Sequence, residues 1–86
     1  MSDTTAAEAA RRAANWAEWA ETCNESAGKR RREAADMQAQ RYTAGASNLQ
    51  ERADDLARER GKAVEMANMW ANVAGALQLA ELGEHA

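Results

Sequence analysis

Large and small apolar residues alternate with a seven-residue period through the second half of this 86-residue chain. The repeating positions are Tyr42, Leu49, Leu56, Ala63, Trp70 and Leu77. A second series, beginning with Ala39, Ala46 and Ala53, runs three residues ahead of the first. Such a period places its members along one stripe of an α-helix, and alanine on the stripe allows two helix backbones to approach closely. The pattern therefore predicts antiparallel helices packed through an Ala-rich heptad seam, as in a coiled coil.

Composition favours an all-α fold. The chain has 23 alanines and only two Val, and it has no Ile, Phe or Pro, so little is available to build a sheet. Ala, Glu, Arg and Gln have high intrinsic helix propensity. Thr5 and Glu8 have the spacing of a capping box, which predicts that the first helix begins there.

The phase of the seam indicates where the helices break. Near the N-terminus the stripe runs through Ala9, Ala13, Trp16, Ala20, Cys23 and Ala27. This stripe predicts Ala34 as its next member, whereas the central stripe uses Ala35 and Ala39. The register therefore slips, and we expect a turn at Gly28, which lies between the two stripes.

The phase is continuous across Gly45 and Gly61. A helix from residue 29 to residue 82 would nevertheless be about 80 Å long, with only one short helix to cover its stripe. The length favours a second turn at Gly61. The sequence thus predicts one domain over residues 1–86, a small antiparallel three-helix bundle with helices at about 5–27, 29–60 and 62–82. The alternative is a long two-helix hairpin bent near Gly45.

Residue types argue against catalysis, and we expect neither a cofactor nor a small-molecule substrate. The chain has one histidine, His85, and one cysteine, Cys23, too few for a typical metal site or a nucleophile–base pair. The sequence contains no stretch of 18 apolar residues, so it predicts no membrane-spanning helix. A single cysteine and no visible signal sequence favour a cytoplasmic protein. The Ala- and Arg-rich composition hints at a bacterial or phage source.

The strongest functional candidate is a set of large apolar residues beside the seam. Trp16 and Trp70 lie on the seam, where we expect them to be buried. The residues beside it are Trp19, Met66, Met69 and Val73. Trp and Met are enriched where helices meet partners. These four residues are therefore predicted to form a protein interface of a small non-catalytic interaction module, an adaptor or inhibitor, that binds itself or a partner protein.

A basic run provides the alternative function, nucleic-acid binding. Its residues are Lys29, Arg30, Arg31 and Arg32, with Arg41 further along the chain. Four consecutive residues point around a helix rather than along one face, and the net charge of the chain is −3. Both observations make a phosphate-binding stripe the weaker prediction.

Overall fold

Two long helices form the fold. The computed structural model describes residues 4–84, except the side chain of Glu84, and within them α1 runs Ala6–Ala39 and α2 runs Thr43–Glu84. At 1.5 Å per residue the helices are about 51 and 63 Å long. They pack antiparallel in a hairpin with dimensions of 67 × 19 × 14 Å. Neither helix is long and apolar enough over the described residues to span a membrane.

The all-α prediction is confirmed, but the three-helix bundle is wrong and the alternative hairpin describes the fold better. Gly28 lies inside α1 and Gly61 inside α2. Ala34 is buried, so the stripe of α1 passes Gly28 without slipping. Because α1 continues to Ala39, it is long enough to cover most of α2, and α2 buries its stripe without a second turn. The two observed helices replace those predicted at about 5–27, 29–60 and 62–82.

The turn is at residues 40–42 and closes α1 with a Schellman motif. The Tyr42 N–H donates to the carbonyl of Met37 at 2.8 Å, and the Arg41 N–H donates to that of Gln38 at 3.0 Å. Arg41 adopts the left-handed conformation, with φ of 67°. Glycine usually occupies this position, because it has no Cβ to clash. The register slip between the two stripes occurs here rather than at Gly28.

Gly45 lies in the first turn of α2, just after the bend, and serves close packing. A Cβ atom at this position would come within 2.7 Å of the Met37 sulfur. The missing side chain therefore makes room for a residue of α1 next to the turn.

The interface between the helices is made mainly of alanine. The buried residues are Ala9, Ala20, Cys23, Ala27, Ala34, Ala46, Ala53 and Ala63. The predicted seam of α2 is confirmed from Ala46 to Leu77, with its larger members half-buried and Arg60 exposed. Ala39 and Tyr42, which were predicted on the same seam, are exposed instead because the chain turns there. The close approach leaves little room for large side chains between the helices.

At the open end of the hairpin, one polar contact caps the start of α1 and another joins α1 to α2. The Thr5 hydroxyl accepts a hydrogen bond from the Glu8 N–H at 3.2 Å, which confirms the predicted helix start. The Ala6 N–H donates to Glu81 Oε1, also at 3.2 Å. Glu81 thus places a carboxylate from α2 at the positive end of the α1 dipole.

Candidate functional site

The predicted interface residues lie on one side of the hairpin. Arg12 and Trp19 are seven residues apart and so share a stripe of α1. The Arg12 guanidinium carbon lies 4.6 Å from the centroid of the Trp70 ring, which places that stripe beside the exposed edge of Trp70 on α2. Met66 and Val73 each precede a seam position of α2 and flank Trp70 on this side. We refer to Trp19, Met66, Met69, Trp70 and Val73 as the Trp/Met face.

Members of the Trp/Met face differ in exposure. Trp19 exposes 44% of its surface and Met69 exposes 42%. Met66, Trp70 and Val73 are half-buried. Two large apolar side chains thus project from a base of partly covered ones.

The expectation that Trp16 and Trp70 are buried is wrong in degree, because both are half-buried. In a two-helix structure the seam has no third helix above it. A large side chain at a seam position therefore keeps one edge in water, and only the small residues beneath it are fully covered. Both tryptophans still contribute to packing between the helices, but neither is enclosed.

A wide groove continues the Trp/Met face toward the open end of the hairpin. Its volume is about 820 Å³. The groove is lined by Thr4, Thr5, Met69, Trp70, Val73, Leu77, Ala80 and Glu81. Side chains of α2 supply most of the apolar lining, and the start of α1 closes one edge. The groove and the exposed Trp19 therefore share one side of the molecule.

Arg12 belongs to this site although sequence reasoning missed it. A guanidinium over an indole ring gains a cation–π interaction and covers part of the ring. The seven-residue spacing from Arg12 to Trp19 could have placed both on one stripe. Its pairing with Trp70 depends on the register of the hairpin, which the sequence pattern alone did not provide.

The predicted basic patch is not assembled into one surface. Lys29, Arg31 and Arg32 are exposed at successive angles around α1. Arg30 is half-buried and forms an ion pair with Glu33 at 3.1 Å. Arg41 lies in the turn, about 18 Å further along the hairpin than Lys29.

The remaining reactive residue types offer no site in the described part of the chain. Cys23 is buried in the middle of α1, and burial raises the pKa of its thiol, as does the nearby carboxylate of Glu59 to a smaller extent. The thiol is therefore protonated at neutral pH. Within residues 4–84 no group of three His, Cys, Asp or Glu side chains is placed to hold a metal ion. His85 lies outside the described residues.

Comparison with protein-family models, with curated proteins and with solved structures finds no match to this chain. The Trp/Met face and its groove are accordingly interpreted from their geometry alone.

Proposed function

We propose that the protein is a non-catalytic helical interaction module that binds itself or a partner protein through the Trp/Met face. Trp19 and Met69 carry this proposal, because both project from the same side of the hairpin beside an apolar groove. Exposed apolar patches of this kind mark association sites. The backbone under this face is already helical, which reduces the entropy lost on binding.

Tryptophan has the properties of an anchor in this setting. A large side chain that is partly exposed on an already formed helix can be covered by a partner while its backbone stays helical. Truncating an aromatic anchor of this kind to alanine weakens the binding free energy by about 2 kcal/mol or more. The half-buried Met66 and Val73 beside Trp19 would provide the surrounding contacts that exclude water from the anchor.

Replacing Trp19 with alanine tests the proposal. The full-length Trp19→Ala variant is expected to keep its helicity, because the residue is only partly packed. Its association with itself or with a captured partner is expected to weaken about 30-fold. Circular dichroism measures the helicity, and sedimentation together with quantitative capture from the native cell measures association.

Val64→Ala is the matched control. Val64 is 37% exposed and lies on the opposite side of the hairpin, where it lines a groove with Ala17 and Asn24. This variant should leave association within a few-fold of the unmodified protein. The proposal fails if Trp19→Ala and Val64→Ala bind every partner tested equally well and also self-associate equally well.

A further inference from the structure

The solvent-exposed surface of this hairpin is larger than that of a compact protein of the same mass. A compact protein of 9.4 kDa exposes about 5,000 Å², whereas this chain exposes 6435 Å². Its radius of gyration is 19.2 Å, against about 12 Å for a compact domain of this length. Only alanines and one cysteine are fully buried within residues 4–84. The large apolar side chains therefore have no core of their own.

Building on the proposed function, we infer that the occupant of the Trp/Met face is a second copy of this chain. Two hairpins packed face to face form a four-helix assembly in which these side chains share one core. The excess surface is about 1,400 Å² per chain. If each copy buried half of this excess, the interface would total about 1,400 Å², which lies within the range of stable protein interfaces.

The face is also complementary to itself. Ala20 and Ala67 line one groove, so Trp19 lies level with Ala67 on α2. The lining of the 820 Å³ groove is centred about eight residues further along α2, or about 12 Å toward the open end. A two-fold axis across the hairpin, midway between these levels, places Trp19 of each copy at the level of the groove of the other. A projection and a hollow on the same surface are what a symmetric dimer requires.

Charge along the hairpin restricts the overlap to the open end. Toward the turn the corresponding positions on this side are Ser26, Glu33, Arg52 and Glu59, which are polar. From Met66 to Leu77 the positions of α2 on this side of the hairpin are apolar over about 16 Å. The proposed axis lies within this apolar stretch and leaves the turn of each copy in solvent. It also brings the two Arg12 side chains near each other, so added salt should favour the dimer by screening them.

Sedimentation equilibrium of the full chain tests this inference over roughly two orders of magnitude in concentration, up to about 300 µM. We expect a reversible approach to twice the 9.4 kDa chain mass, with tighter association at about 0.5 M than at 0.05 M salt. Trp19→Ala should raise the dimer dissociation constant about 30-fold, and Val64→Ala should change it less than threefold. Met69→Glu, at an exposed position, should abolish the dimer and serves as a second probe if Trp19→Ala does not fold.

A monomer at every concentration would overturn the second copy as occupant. It would leave the proposed function standing if a different protein is captured in a Trp19-dependent way. Dimers unaffected by both Trp19→Ala and Met69→Glu would also overturn the inference, because the interface would then lie elsewhere. Association that weakens with added salt would contradict the placement of the axis and would favour contacts of the basic run at residues 29–32.

Discussion

Replacing Gly61 with alanine is expected to raise the free energy of unfolding by about 1 kcal/mol. Gly61 lies in the interior of α2 on an exposed surface. A Cβ atom built at this position has no neighbouring heavy atom within 4 Å. The substitution therefore reduces the conformational freedom of the unfolded chain without introducing a clash in the folded one.

Thermal unfolding followed by circular dichroism at 222 nm, the usual wavelength for helix content, measures this gain. For a chain of this size a change of 1 kcal/mol shifts the Tm by about 4–8 °C. Protein concentration must be held constant across variants, because association stabilises the folded state and makes the Tm depend on concentration. Urea unfolding provides a second measure, in which the midpoint should rise and the slope should stay unchanged.

The sign of the change decides between a continuous α2 and a turn at residues 60–62. If Gly61 occupied a turn with positive φ, alanine would be strained there and the Tm would fall. A lower Tm for Gly61→Ala would therefore refute a continuous α2. Gly75→Ala is the matched control, since its Cβ is equally unobstructed and should give a similar gain. Gly45→Ala should gain less, because its Cβ meets the Met37 sulfur.

Three further outcomes follow from the hairpin. Arg41→Gly should stabilise the protein by about 1 kcal/mol in urea unfolding, because it removes a Cβ from a left-handed residue; a loss of stability would contradict the turn geometry. Ala53→Leu should cost about 1–3 kcal/mol by forcing the helices apart, whereas Leu at the exposed Ala44 should change little; equal effects would refute close packing through alanine. Because burial raises the pKa of the Cys23 thiol, its contribution to stability should be constant below about pH 8.5 and be lost as pH rises above it; a Cys23→Ala variant with the same pH profile would exclude this cause.

The sequence pattern predicted α2 better than the turn. Ala46 and Ala53 are seven residues apart in one series of the seam, Ala63 belongs to the other series, and all three are buried as predicted. The slip assigned to Gly28 arose because Ala34 and Ala35 are adjacent alanines, so either could continue a stripe of small residues. The actual turn carries Arg41 in a left-handed conformation. The residues of this turn, Gln40, Arg41 and Tyr42, are of types that also occur within helices, so the sequence does not mark the turn.

Placement of the candidate site was partly predictable. The spacing of Trp19 and Met66 relative to the seam identifies both as flanking residues, because helical periodicity fixes the angle between positions on one helix. It does not fix which flank of α1 lies beside which flank of α2. That depends on the register and hand of the turn, which is why the contact of Arg12 with Trp70 and the groove beside it were found only in the folded structure.

The location of the turn has a consequence for folding. Ala34 and Ala46, which line one groove next to the turn, are twelve residues apart in sequence, whereas Ala6 and Glu81 at the open end are separated by 75. Contacts between residues near each other in sequence form first because they require the shortest loops, so pairing of the two helices should begin at the turn and extend toward the chain ends. The Trp/Met face lies in the half that closes last and opens most readily. Amide hydrogen exchange should therefore be faster there than beside the turn in the monomer, and association should slow it selectively in that half.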